Sequence, residues 1–286
     1  MTKKILVIGA AGFVGTPIVR QLLADGFAVK ALVRNEQKAR HLLGDAVELE
    51  LVVGDLTDRV VLESALAGVD GVNLSAPWKK EADLAKNVSR ILAAQGRKDA
   101  RVTYISGTTT LPENRWAPMI AEKLKAEHAL IDSGVEYTIL RPSWFMDALP
   151  LFVRDGRATL FGKQTQAYYF LSLVDFARAV SDCYKKEETA NQSMVLNGPQ
   201  ALQMLDALQQ YCDVAAPGIR AAIMPIWFGN MLAWMTKSPE LRDVVGMMAY
   251  FEKSPKVSSP NGAEGWVVSA GMTMAEWLKT LKDERK

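Results

Sequence analysis

Gly9-Ala10-Ala11-Gly12-Phe13-Val14-Gly15 follows the apolar run Ile5-Leu6-Val7-Ile8 and opens an amphipathic segment carrying Val14, Ile18, Val19, Leu22 and Leu23. The order is strand, glycine turn, helix. The glycines are spaced G-x-x-G-x-x-G, and each has a physical task. Gly9 lets the chain turn off the strand, Gly12 lets backbone approach a pyrophosphate, and Gly15 lets the helix pack close to the sheet. Helix N–H groups and the positive end of the dipole then face the phosphates, with Ala11, Phe13 and Val14 completing the turn. Pro17 falls in the first helical turn, where a missing N–H is tolerated. Taken alone, such a pattern is equally a tight turn with no ligand. The strand before it and the helix after it make it a nucleotide-binding turn.

Outward from this turn, strand two (Ala28 to Val33) ends at Arg34-Asn35. In an NAD-binding fold that strand end usually holds Asp or Glu, which bonds the adenosine ribose 2′-OH. Arg34, with Lys38 one helical turn further on, suits a 2′-phosphate instead, so NADP(H) is the expected cofactor. The competing reading is a solvated arginine at the start of a surface helix. Strand three (Val47 to Val53) runs into Gly54-Asp55-Leu56-Thr57. Asp55 and Leu56 are placed beside the adenine, and Asp55 is also a candidate cap for the next helix through the Thr57 region. Strand four ends in Ser75-Ala76-Pro77-Trp78, where Ser75 and Ala76 are small enough for a close-passing cofactor. Trp78 is a candidate for the substrate pocket. The next helix puts Leu84, Val88, Ile91 and Leu92 on one face. Strand five ends in Ser106-Gly107-Thr108, with Ser106 expected at the cofactor.

This unbroken alternation predicts an α/β fold with a doubly wound parallel sheet. A helix from about Ala117 to Ser133 follows, with Ile120, Leu124 and Ile131 expected inward and Met119, Lys123 and Glu127 sharing another face. Strand six, Tyr137 to Leu140, leads to Arg141-Pro142-Ser143-Trp144-Phe145-Met146. Trp144, Phe145 and Met146 sit at the sheet's ligand-binding end, where an aromatic substrate could stack. Residues 158–161 and 167–170 read as short strands, candidates to pair with one another. A nucleotide-binding domain over residues 1–150 is expected, to which the helix at 172–186 returns, with a smaller and mostly helical substrate lobe over 151–286. The Met- and Trp-rich stretch 224–235 reads either as ordinary helix core or as an adaptable apolar lid.

The chain has 286 residues, ample for a sizeable core, and a formal net charge of +2. That balance gives no reason to expect nucleic acid as a partner. Cys183 and Cys212 form neither a disulfide framework nor a metal cluster, and His41 and His128 lack ligand spacing, so no metal is expected. The first residues lead straight into strand one, without the pattern of a signal peptide. The uncharged apolar run Ala221 to Thr236 contains Pro225 and Gly229 and is shorter than the ~18 apolar residues of a spanning helix. A cytoplasmic monomer or homodimer with no membrane span is expected.

The chain resembles the NmrA-like, atypical short-chain dehydrogenase/reductase family. The resemblance lies in Gly9 to Gly15, Val33-Arg34, Gly54-Asp55-Leu56, Lys123 to Glu127, Ser133 to Pro142 and Gly198 to Leu202. It covers most of the chain to about residue 205 and is loose beyond. It implies a Rossmann domain, an NADP-type cofactor and a C-terminal lobe over the substrate. Most short-chain reductases carry Tyr-x-x-x-Lys on the helix after strand five, where lysine holds the nicotinamide ribose and tyrosine delivers the proton. By resemblance the lysine corresponds to Lys123, with Lys125 as the other register, and the Ser/Thr position to Thr108. The tyrosine position is then Met119, which moves no proton.

Two functions follow as expectations. One is an NADPH-dependent reductase passing a hydride to a small conjugated or aromatic acceptor such as a quinone or an enone. Its anion is self-stabilised, with Lys123, Thr108, water, or Tyr168 or Tyr169 of the second lobe supplying a proton or stabilising charge. The other is an NADP(H)-binding redox sensor or regulatory protein without turnover. A third, weaker reading is a scaffold in which residues 221–236 dock on a partner or membrane surface.

Overall fold

Short apolar strands alternating with one-sided helices build the sheet that carries the glycine turn. The computed structural model describes residues 2–253, 255, 257 and 271–283. Strand β1 (Lys4–Ile8) is buried at four successive positions because both faces of a parallel sheet are covered. Helix α1 (Gly15–Ala24) buries Ile18, Val19 and Leu22. The alternation continues through β2 (Ala28–Val33), α2 (Glu36–Leu43), β3 (Leu49–Val53), α3 (Arg59–Leu66) and β4 (Gly71–Leu74). It runs on through α4 (Glu81–Ala94), β5 (Arg101–Ile105), α5 (Pro118–Ile131) and β6 (Tyr137–Pro142). After β7 (Val153–Arg154), β8 (Arg157–Phe161) and β9 (Ala167–Tyr169) come α6 (Leu173–Lys185) and β10 (Gln192–Leu196). The remaining elements are β11 (Ala201–Gln203), α7 (Met204–Ala215), β12 (Ala221–Met224), α8 (Ile226–Thr236), α9 (Pro239–Glu252) and α10 (Met274–Asp283).

Seven strands form one sheet in the order β10-β6-β5-β4-β1-β2-β3, with every neighbouring pair parallel. This is the doubly wound Rossmann arrangement. The strand order reverses between β1 and β4, which opens a crevice at their carboxyl ends. Described residues 2–142 and 173–196 make one compact unit. Leu6, Ile8, Val72 and Val102 of its sheet pack with Leu84, Val88 and Leu92 of α4 in one apolar core. Helix α6 lies against α1, where Asp25 accepts hydrogen bonds from Ser181 Oγ at 2.5 Å and Lys185 Nζ at 2.8 Å.

Helix α5 departs from expectation at one position. Ile120 and Leu124 are buried, but Ile131 is 45% exposed and Leu130 takes its place inside. Glu127 occupies the inward turn between Leu124 and Leu130, because hydrogen-bond partners make its burial tolerable.

The second compact unit takes the described residues of 143–172, 197–257 and 271–283. It holds α7 to α10 together with two small sheets, β7-β8-β12 and β9-β11. The segments 158–161 and 167–170 do not pair with each other. Strand β8 pairs antiparallel with β7 and parallel with β12, and β9 pairs antiparallel with β11. Between them Gly162 turns at φ +74°. The Gln164 side-chain amide then donates to the carbonyls of Phe161 and Met248 at 2.8 and 3.0 Å, directing the chain away from β8. No helix among the described residues is long and apolar enough to cross a membrane.

Candidate functional site

A cleft of about 590 Å³ lies at the carboxyl ends of β1 to β5. The sheet order places its walls. The glycine turn lies at the centre, Arg34, Asn35, Lys38 and Asp55 stand at the β2–β3 end, and Ser75, Ala76, Glu81, Ile105 and Lys123 stand at the β4–β5 end.

The glycine requirements are geometric. Gly9 has φ +84°, and a Cβ there would meet the Ser75 carbonyl oxygen at 2.2 Å. A Cβ on Gly15 would meet the Gly9 carbonyl oxygen at 2.1 Å. The Gly12 N–H donates to the Gly9 carbonyl at 2.9 Å, closing the turn. Val14 at the start of α1 supplies no side-chain cap, and the first helical turn carries no acid. The positive end of α1 is therefore directed at the cleft, a ready anion site. Ala11, Phe13 and Val14 line it as well.

At the β2–β3 end Arg34 and Lys38 are both exposed and line the cleft. Asn35 between them caps α2, accepting from the Lys38 N–H at 2.8 Å, so the α2 start is fixed and Arg34 is left on the strand side. Lys80 adds a third cation at the cleft. Asp55 accepts from both the backbone N–H and the hydroxyl of Thr57, at 2.8 and 2.5 Å. The Thr57 bonds, with Lys80 and Arg34 nearby, hold its carboxyl below the usual range. Asp55 does not cap α3. Asp58 does, accepting from the N–H groups of Val60 and Val61. A local Asx-type turn competes with capping, and here Asp55 takes the turn. Leu56 lines the same wall.

At the other end the structure brings together residues far apart in the chain. Lys123 lies 2.9 and 3.1 Å from the two carboxylate oxygens of Glu81 and 3.1 Å from the Ile105 carbonyl. An ammonium has three donors, and these acceptors engage all three. Glu81 also accepts from the Tyr104 hydroxyl at 3.0 Å. Burial and that carboxylate push the Tyr104 pKa well up. Lys125, the other register, is 70% exposed beside Glu122. Met119, one turn before Lys123, is half-buried.

Sequence reasoning missed Glu81. An acid in the first turn of a helix reads as dipole compensation, and nothing local ties it to a lysine 42 residues away.

Several expected site residues fall elsewhere. Ser106 is buried and donates to Glu127 at 2.6 Å, while Arg141 grips the same carboxylate with two bonds at 3.0 and 2.6 Å. It is absent from the cleft wall. The carboxylate draws the Ser106 hydroxyl under the sheet end instead. Thr108 is buried, its N–H donating to the Pro142 carbonyl at 3.1 Å. The side chain of Trp78 lies outside what is described.

In the second unit, Tyr168 is core, 3% exposed, and burial raises its pKa. Tyr169, its neighbour on β9, is exposed because successive strand side chains alternate. Met146 is core as well. Trp144 is half-buried in a ring cluster with Phe152, Tyr168 and Phe251, its indole N–H lacking a partner among the described residues. Phe145 is half-buried beside it. Among the described residues no cluster of His, Cys, Asp and Glu is placed to hold a metal.

The cleft fits a dinucleotide. Its cradle is one that a single Cβ would fill, a helix N-terminus points into it, and cations gather at one end. The comparisons agree. A family profile described as NAD(P)H-binding matches residues 9–185. The photosystem II assembly factor Ycf39 of Cyanophora paradoxa is 27% identical over 235 residues, 78% of this chain and 72% of that protein. An NAD(P)H azoreductase of Xenophilus azovorans is 27% identical over 206 residues, 69% of each. The NADPH-dependent quinone oxidoreductase QOR2 of Escherichia coli, complexed with NADPH, shares the fold. Its TM-score is 0.77 at 21% identity, over 97% of this chain and 99% of that one. The chain belongs to the NAD(P)H-binding family whose profile it matches over residues 9–185.

Proposed function

We propose that the protein is an NADPH-dependent reductase that delivers a hydride to a small conjugated or aromatic acceptor of the quinone, azo or enone kind. The observation that carries this reading is the two-ended cleft. The exposed cations Arg34 and Lys38 lie at the β2–β3 end, and a buried Lys123–Glu81 pair lies at the β4–β5 end. Arg34 and Lys38 would hold the 2′-phosphate, the α1 N-terminus the pyrophosphate, and Lys123 with Glu81 the hydroxyls of the nicotinamide ribose. A carboxylate and an ammonium side by side offer those hydroxyls both an acceptor and a donor once a hydroxyl displaces one Glu81 oxygen from Lys123. When bound, NADPH supplies the hydride. Met119 supplies no proton, and a flat conjugated acceptor tolerates this, because it delocalises the added charge and takes its proton from water. The azoreductase and quinone oxidoreductase resemblances support that class of acceptor.

The test is loss of NADPH absorbance against quinones, azo dyes, enones and aromatic aldehydes, with NADPH affinity measured on the same sample. Turnover with any of them supports the reductase. Tight NADPH binding with no turnover across the panel supports a second reading, a cofactor-binding regulatory or assembly protein. Met119 and the engaged donors of Lys123 favour it, as does the resemblance to an assembly factor.

A further inference from the structure

Helix α8 is apolar on two sides. On one side Gly229 and Ala233 are buried, and a Cβ on Gly229 would meet Phe161 and Val245 side-chain atoms at 2.7 and 2.8 Å. On the other, Trp227, Met231, Trp234 and Met235 are 67, 40, 76 and 63% exposed. Their spacing of four, three and one residues puts them on one stripe. Ile223 of β12, 43% exposed, precedes it. Single exposed apolar residues need no explanation, but two tryptophans and two methionines on one helix face mark an interaction surface. No charged residue occurs over residues 221–236, and Arg220 and Lys237 flank the run, both exposed. Lys237 ends α8 in the left-handed conformation at φ 49°.

We propose that this face of α8 seats the protein on the surface of an anionic phospholipid bilayer. Trp227 and Trp234 would enter the headgroup–acyl boundary, where an indole keeps its N–H wet and its ring apolar. Met231 and Met235 fill between them. Arg220 and Lys237 stand at the two ends of the apolar run to meet lipid phosphates, and Arg242 further on is offset by Glu240 and Asp243.

Size argues for lipid over a second copy of the chain. An 11-residue helix is about 16 Å long, and four side chains along it cover far less than the ~800 Å² per partner of a stable protein pair. The same helix falls short of the ~30 Å hydrocarbon core, so it lies on the membrane and does not span it.

The experiment is sedimentation of the full chain with phosphatidylcholine–phosphatidylglycerol vesicles. The wild type should co-sediment, less so as salt is raised. Trp227→Ser and Trp234→Ser should each lower partitioning by about tenfold, with the thermal midpoint and NADPH affinity unchanged. Arg220→Glu with Lys237→Glu should weaken binding to the mixed vesicles more than to pure phosphatidylcholine. The proposal is overturned if the wild type stays in the supernatant, or if the tryptophan variants bind as the wild type does. It is also overturned if the wild type is a dimer in lipid-free buffer that Trp234→Ser returns to monomer, which would make a second copy the occupant.

Discussion

Glu81→Ala is the perturbation with the largest consequence that the site's geometry allows. Lys123 and Glu81 form an ion pair at 2.9 Å with side chains only 14% and 8% exposed. The truncation leaves the ammonium with the Ile105 carbonyl and leaves the buried Tyr104 hydroxyl without its acceptor. Removing one partner of a buried pair costs roughly 3–5 kcal/mol. The pair lies at the cleft wall, where water reaches it, so the lower end, about 3 kcal/mol, applies here. Lys123→Met should cost less, because Glu81 keeps the Tyr104 bond. In the double variant Glu81→Ala/Lys123→Met no charge is left unpaired. Its destabilisation should fall short of the sum of the singles by about 2 kcal/mol. Urea unfolding of the four proteins at neutral pH measures the cycle, and NADPH titration of each folded variant reports on the cleft. Additive single effects, or a Glu81→Ala change within about 0.5 kcal/mol of wild type, would refute the pair as the organiser of this wall.

Arg34→Asp should raise the Kd for NADPH by about tenfold or more and barely move that for NADH, since a carboxylate repels only the cofactor that carries a 2′-phosphate. Equal losses for both would remove Arg34 from that role. Asp25→Asn tests linkage. Partial burial raises the Asp25 pKa, but bonds from Lys185, Ser181 and Gln21 outweigh it and bring it from 3.8 to about 2. The depressed value means a stabilisation present above pH 3.8 and lost as pH falls toward 2. Allowing for solvent screening, the variant should lose about 1 kcal/mol at pH 7, with the gap closing below pH 4. A gap constant with pH would reject the charge as its source. Cys183 is buried and its thiol is pushed up to about 12 by that burial, so a thiol reagent should label it at the rate of unfolding and no faster.

Most of the first unit was legible in the sequence. The glycine turn, six of the seven sheet strands in their order of alternation and the helix faces of α1 and α4 are local patterns, and their partners are fixed by period and chain direction. The places of Arg34 and Lys38 on the cleft wall were legible for the same reason, because a strand end and a helix first turn lie side by side. The failures share a different cause. Ile131 was misplaced because period alone could not tell it from Leu130, and Glu127, a charged residue turned inward, decided between them. Asp55 and Asp58 are equivalent as caps until the turn at Thr57 is seen. Ser106 stands at the right strand end, yet a carboxylate from α5 claims its hydroxyl.

The sequence by itself determined the parallel sheet, the cradle and the two ends of the cleft, since periodicity, glycine conformation and residue charge act over a few neighbouring positions. Only the tertiary structure decided that Lys123 is held by Glu81, that β8 and β9 take separate partners, and that α8 turns two tryptophans outward. Each of these depends on which surfaces meet across long stretches of chain. Burial and pairing between distant residues leave no mark on local spacing.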